Sequence, residues 1–274
     1  MWKGIDVSSN QGTIDWKKVK AAGCDFAILR STVKSGAADK QFSANVAGCR
    51  AQGIPFEVYK YTYALTPTQA VEEAQQVVSL LRSHGLTCRV WWDVEDNSLR
   101  SLNKGVLTGL IQSAADIITG AGYNFGIYTG KSFYQEGVFD TTAFECPFWM
   151  ARYPIGRYYA LADDPPADEY KPTVTQPLVA WQYTSNGSVD GITGPVDLNV
   201  CYIPFWETQA PDYYLQDIWH GTSISKALES IREDGSYQHR VQIAAVNGIA
   251  GYTGTAEQNT YMLNLLRTGQ LLRA

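Results

Sequence analysis

Short apolar runs rich in β-branched and aromatic residues recur along the first 200 positions, and most are followed by a longer stretch with apolar residues three and four apart. GIDVS (4–8), FAILRST (26–32), PFEVYKYTY (55–63), RVWWDVED (89–96) and FGIYTG (125–130) read as buried strands. DWKKVKAAG, a segment near 39–52, TPTQAVEEAQQVVSLLRSHG and a segment around 104–120 read as helices between them, the third with Thr66 or Thr68 as its cap. Such alternation marks βα units around a parallel sheet. After 130 the pattern changes: PFWMARY (147–153), LVAWQYTS (178–185) and VDLNV (196–200) are separated by Gly- and Pro-rich loops without helical periodicity. The expectation is an α/β fold, an irregular (β/α) barrel of eight strands with about five helices over residues 1–205.

IPFWETQAPDYY (203–214) has two prolines and no periodicity, so residues 206–214 read as a linker. Beyond it, SISKALESIRED, SYQHRVQIAAVNG and TAEQNTYMLNLLRTG predict a small all-α module of three helices over 215–274, the last two closing at a glycine. Five basic and five acidic residues balance in that module, so the main domain carries the net charge of −5.

Composition narrows the function classes. A net charge of −5 offers no basic stripe to displace counterions from phosphates, which argues against nucleic acid as a partner. No apolar run approaches the roughly 20 residues that span a bilayer, so membrane insertion is not expected. MWKGIDVSSNQG carries no signal-like stretch; the expectation is synthesis in the cytoplasm and release by a holin-type pore or lysis, or secretion if a signal was removed. The five cysteines are odd in number and lack a CxxC pair, and read as small buried hydrophobes. Of three histidines, only His84 precedes residue 220, and LLRSHGL marks it as a helix-terminus residue. No metal site or cofactor is expected, and Ser-His-Asp chemistry lacks its parts.

WWDVEDNS (91–98) opens as a buried strand and then sets Asp93, Glu95 and Asp96 into four positions. Burying an unpaired carboxylate is costly, so the strand leaves the core where charge is wanted. Residues i and i+2 share a face about 6.6 Å apart, which pairs Asp93 with Glu95. Two carboxylates at the end of a barrel strand suit glycosidic cleavage, in which one is protonated and the other ionised. The alternatives are solvated strand-end charges or magnesium ligands. Asp6 at the end of the first strand and Asp197 at the end of the last add two carboxylates, since first and last strands are neighbours in a closed barrel. Tyr61, Tyr63, Tyr128, Trp149, Trp181 and Tyr183 fall late in their strands and form a candidate sugar-stacking set, with core packing as the alternative for each one singly.

GIDVSSNQG with DW shortly after, FAILRST, YxY at Tyr61 and Tyr63, WWDVED, FGIYTG, FWMARY, WQYTS and VDLN together resemble glycoside hydrolase family 25, the Ch-type muramidases. The resemblance implies a modified barrel that hydrolyses the β-1,4 bond between N-acetylmuramic acid and N-acetylglucosamine in peptidoglycan, as in a phage endolysin or bacterial autolysin. It implies Glu95 as general acid, Asp93 holding the acetamido group or an oxazolinium-like intermediate in a retaining reaction, and Asp6 and Asp197 supporting charge and binding substrate. The family often has His between the two tyrosines where this chain has Thr62, which bears on fine substrate preference. A chitinase-like glycosidase and a non-catalytic peptidoglycan-binding barrel are the competing functions. NGIAGYTGTAEQNTYMLNLLRTGQL is similar to a small C-terminal module of endolysins and wall hydrolases, which implies attachment to cell wall; a stabilising cap or dimer contact is the alternative.

Overall fold

The computed structural model describes residues 1–154, 158–204, 214 and 220–273. Among these the apolar runs form nine strands: β1 (Trp2–Val7), β2 (Phe26–Arg30), β3 (Phe56–Tyr61), β4 (Arg89–Asp93), β5 (Asn124–Gly130), β6 (Phe148–Ala151), β7 (Tyr159–Ala160), β8 (Leu178–Ser188) and β9 (Val196–Cys201). Their order is β6-β5-β4-β3-β2-β1-β9-β8-β7, and an additional β6–β8 pairing closes eight of them into a barrel. The ninth, β7, is a two-residue strip on the far end of β8.

β1 to β6 run parallel, and β8 runs parallel to β6. β9 is antiparallel to both β1 and β8. The parallel sheet expected from the sequence is therefore mixed at its closure. A parallel neighbour needs a long crossover, whereas SNGSVDGITGPV turns the chain straight back from β8 into β9.

Both faces of the sheet are buried, as a barrel wrapped by helices requires. Val58, Val90, Trp92 and Ile127 point outward and are 0–1% exposed. Inward, Phe26, Ile28, Trp91, Tyr128 and Trp149 fill the barrel with Tyr59 against them. Two glycines make room for these rings: a Cβ on Gly4 would sit 2.6 Å from the Phe26 ring, and one on Gly126 would sit 2.5 Å from the Trp91 indole. The helices of this part are α1 (Trp16–Ala21), α2 (Phe42–Gln52), α3 (Pro67–Ser83), α4 (Lys104–Gly120) and α5 (Lys131–Glu136). α3 shows why the sequence makes them: Thr66 accepts from the Gln69 N–H, Pro67 opens the first turn, and Ala70, Ala74, Val77, Val78 and Leu81 line its buried side. His84 caps its end, with Nδ1 3.0 Å from the Leu80 carbonyl. None of the five cysteines forms a disulfide; Cys24, Cys49 and Cys201 are buried, Cys88 and Cys146 only partly.

The chain divides into two compact units, the barrel over Met1–Ile118 and Tyr123–Thr208, and a second over Thr119–Gly122 and Gln209–Ala274. The second holds α6 (Ile224–Ser230), α7 (Tyr237–Val246) and α8 (Ala256–Arg267), capped by Ser223, Ser236 and Thr255. Ile224, Leu228, Ile243, Met262, Leu263 and Leu266 form its core. Tyr214, placed in the linker by the sequence reading, is buried in that core, and its N–H donates to the Leu271 carbonyl. The rest of 206–214 lies outside the described residues. No described helix is long and apolar enough to cross a membrane.

Candidate active site

WWDVEDNS separates its three carboxylates into three environments. Asp93 ends β4 and points inward with Trp91, 4% exposed. Val94 turns outward and is tied to β5: its N–H donates to the Tyr128 carbonyl, and the Thr129 hydroxyl donates to the Val94 carbonyl at 2.7 Å. This anchor returns Glu95 to the barrel mouth just beyond the strand. Asp96 caps a short 3-10 turn (Asn97–Ser101), accepting from the Ser98 N–H and hydroxyl and from the Tyr61 hydroxyl at 3.2 Å. These bonds, the Ser98 hydroxyl first, hold Asp96 below the usual carboxylate range.

Asp6 and Asp197 face one another across the β1–β9 ladder. Asp197 stands at the start of β9, not at its end as the sequence reading had it. Because β9 runs antiparallel, its start lies at the same mouth as the ends of the parallel strands, so the location survives the reversed direction. Asp6 is 5% exposed and accepts from Asn199 Nδ2 at 2.7 Å and Gln182 Nε2 at 2.9 Å. Its carboxyl is also hydrogen-bonded to that of Asp197. Burial lifts both, Asp197 further because the Asp6 charge faces it. The pair therefore holds one proton, with Asp6 as the acceptor that two amides stabilise.

Asp93 and Glu95 are raised for related reasons. Burial comes first for Asp93, then the charges of Glu95 and Asp6; its pKa lies well above the usual value although Arg30 opposes the shift. Asp93 Oδ1 has no hydrogen-bond partner. Glu95 is pushed up to about 7, first by burial and then by the Asp6 charge, against a hydrogen bond with Tyr128 that favours its anion. A carboxyl that keeps its proton near neutrality beside anionic neighbours is the arrangement a general acid needs. No group of three or more described His, Cys, Asp or Glu side chains could hold a metal ion.

The aromatic candidates divide. Tyr61 and Tyr63 are half-buried with rings 4.8 Å apart, and Arg30 donates to the Tyr63 hydroxyl at 3.2 Å. Tyr128 is 4% exposed; its hydroxyl donates to Gln182 Oε1 at 2.8 Å and is hydrogen-bonded to Glu95, so it belongs to the carboxylate network. Trp149, 1% exposed, lies inside the barrel with its indole N–H on Asn199 Oδ1 at 2.8 Å. Trp181 and Tyr183 occupy the face of β8 opposite Gln182, both buried and in mutual ring contact. The structure thus withdraws Trp149, Trp181 and Tyr183 from the sugar-stacking set: their ring faces are covered by protein, and two lie on the wrong side of the sheet.

Four residues of the site escaped the sequence reading: Gln182, Asn199, Tyr153 and Arg30. The signal was there for two. Asn199 is two residues from Asp197 and so shares its face, and Gln182 alternates with Trp181 and Tyr183, so inward amides imply outward aromatics. Tyr153, whose hydroxyl donates to Gln182 Oε1 at 2.5 Å, comes from the loop after β6 and had no such pattern.

Comparison with known proteins agrees with this geometry. The model for glycosyl hydrolases family 25 matches residues 5–192. The autolytic lysozyme of Clostridium acetobutylicum is 27% identical over 197 residues, 72% of this chain and 55% of the relative, so the chain spans about half the length of that protein. The catalytic domain of the endolysin ply40 from bacteriophage P40 of Listeria monocytogenes is 26% identical with a TM-score of 0.61, covering 76% of this chain and 96% of that one. The modular autolysin LytC of Streptococcus pneumoniae, solved with a synthetic peptidoglycan ligand, is 28% identical with a TM-score of 0.59, covering 73% of this chain and 46% of that one. A barrel closed by one antiparallel strand, with Asp6, Asp93, Glu95 and Asp197 at its mouth and the family pattern running from Ile5 through Ile192, makes this chain a member of glycosyl hydrolase family 25.

Proposed function

We propose that the chain is an N-acetylmuramidase that cleaves the β-1,4 bond between N-acetylmuramic acid and N-acetylglucosamine in peptidoglycan. The observation that carries this reading is Glu95, pushed up to about 7 among anionic neighbours at an open mouth. Glu95 gives its proton to the glycosidic oxygen as the C1–O bond breaks, and the leaving sugar departs as an alcohol. The acetamido carbonyl oxygen of the muramyl sugar, the one that keeps C1, closes on that carbon, forming an oxazolinium ion with the charge on its ring nitrogen. Asp93 accepts the N–H of that group on Oδ1, the oxygen that the protein leaves without a partner. Glu95, now ionised, takes a proton from water, which opens the ring with retention at C1. Asp6 and Asp197 stabilise the positive charge from the opposite side of the mouth.

Purified peptidoglycan incubated with the protein should release new reducing ends at muramic acid, identified by mass spectrometry of borohydride-reduced fragments. Reduced N-acetylglucosamine ends, or cleavage of chitin oligomers at equal efficiency, would replace this reading with a chitinase-like one; no cleavage of either would leave a binding barrel.

For the helical unit we propose attachment to the cell wall. Tyr237 and Tyr261 are 49% and 54% exposed, and Tyr237 stacks on Tyr252 with ring centroids 6.0 Å apart, a surface suited to sugar faces. Linked to the barrel, such a binder raises local substrate concentration without altering the chemistry. Deleting residues 215–274 should reduce co-sedimentation with walls more than hydrolysis of soluble fragments; equal loss in both assays would favour a stabilising role.

A further inference from the structure

The cleft continues past Glu95. Beside it, where β5 and β6 end, the surface sinks into a cavity of about 560 Å3 lined by Glu95, Lys131, Ser132, Arg152, Tyr153 and Tyr170. That volume lies within the range of ligand-binding pockets. The cavity shares Glu95 with the acidic cluster, so whatever occupies it is bonded to the sugar at the cleavage point or lies next to it.

Its charge is the reverse of its surroundings. Asp6 and Asp96, the carboxylates that keep their charge near neutrality, make the mouth repel anions. On the opposite wall the cations are committed: Arg30 to the Tyr63 hydroxyl and Lys34 over the Tyr63 ring at 4.9 Å. In the cavity, Arg152 is committed too, since Nη1 donates to the Glu169 and Lys171 carbonyls at 3.2 and 2.9 Å. Lys131 differs. It follows Gly130 at the end of β5, is half-buried, and makes no ion pair with a described residue. Glu136 on the same helix is taken by Arg100 at 2.8 Å. An ammonium held beside an acidic mouth without a counter-ion among the described residues fits a substrate that brings its own carboxylate to this wall and a neutral sugar to the other.

We propose that this cavity receives the arm on O3 of the muramyl residue, and that Lys131 is a specificity residue pairing with the carboxylate of that arm. The inference rests on the muramidase reading and adds to it which side of the substrate is recognised. The carboxylate has two sources, the lactyl group of an unsubstituted muramyl residue or the peptide stem attached to it. A neutral chain of N-acetylglucosamine has neither, so Lys131 separates wall polymer from chitin by charge.

The test uses the full chain, its Lys131→Met and Lys131→Arg variants, and glycan strands with and without stems, each native or with carboxylates amidated by carbodiimide and ammonia. On native strands Lys131→Met should raise KM about fivefold, the size of a partly exposed ion pair, with kcat within twofold, and added salt should shrink the gap. Lys131→Arg should restore KM. On amidated strands the wild type should match Lys131→Met. An effect on stem-bearing strands alone assigns the stem carboxylate, one on stem-free strands alone assigns the lactyl carboxylate, which the stem's amide bond removes, and one on both shows that Lys131 takes whichever of the two is present. Equal KM for wild type and Lys131→Met on native strands, or an equal Lys131→Met defect on native and amidated strands, would overturn the proposal. A wild-type protein that cleaves no strand at all would overturn the muramidase reading instead, so the two failures are distinguishable.

Discussion

Two buried carboxylates in one barrel are treated in opposite ways. Glu57, on β3 near the closed floor, is 2% exposed, takes the Trp91 indole N–H at 2.6 Å and has the Arg89 guanidinium 3.7 Å away. Asp93, on β4 at the mouth, is buried to nearly the same degree, yet one of its oxygens has no partner, and its neighbours Glu95, Asp6 and Asp197 are acids. Burial pushes Glu57 up to about 8 as well, but the floor supplies a cation and a hydrogen-bond donor to it from within the protein. The mouth gathers acids around Asp93, with Arg30 the cation opposing them, and leaves one oxygen for something from outside. Burial alone therefore does not distinguish a structural carboxylate from a functional one; the identity of its partners does.

Substitutions at the two ends should break in opposite directions. The largest effect is expected at Glu95, where Glu95→Gln should lower kcat on peptidoglycan by about 10³-fold while the protein stays folded, read by reducing-end release beside a thermal melt. Glu57→Ala should do the reverse. It removes the carboxylate that Arg89 and the Trp91 indole N–H share and should cost about 3 kcal/mol in urea unfolding, with kcat of the folded fraction within a fewfold of wild type. Between these, Asp93→Asn should lower kcat by about 10²-fold, since a neutral amide stabilises the charged intermediate poorly.

The smallest effect concerns pH and stability. Folding raises the Glu95 pKa, so the stability it contributes is intact below about 4.5 and lost as pH climbs through about 7. Removing that titration with Glu95→Gln should leave stability unchanged at pH 4 and raise it by ~2 kcal/mol at pH 8, a figure discounted for partial exposure. Glu95→Gln that destabilises at pH 8 would place the side chain in a supporting rather than a strained environment.

How much of this was legible follows from the period of a strand. Asp93 and Glu95 could be paired because neighbours two apart share a face, and Asp6 could be joined to Asp197 because a closed barrel makes its end strands adjacent. The same rule applied to WQYTS left the choice of inward face open, and the aromatic identity of Trp181 and Tyr183 favoured the wrong one. Gln182 wins that face because Asp6 and the Tyr128 hydroxyl need an amide partner, a demand from strands far away in sequence. The direction of β9 was hidden for a like reason, since VDLNV reads the same in either orientation. Tyr153 lies in the loop after β6 and Lys131 opens α5 directly after β5, both at element ends where strand periodicity no longer marks a side chain's direction.

Glu95 keeps its proton close to neutrality because the mouth is buried and acidic. A 13C NMR titration of glutamate side-chain carboxyls, with Glu95 assigned by its absence from the Glu95→Gln spectrum, measures this directly. The account predicts a midpoint near 7 that falls when Asp6→Asn removes the neighbouring charge; a midpoint near 4.5, indifferent to Asp6, would contradict it.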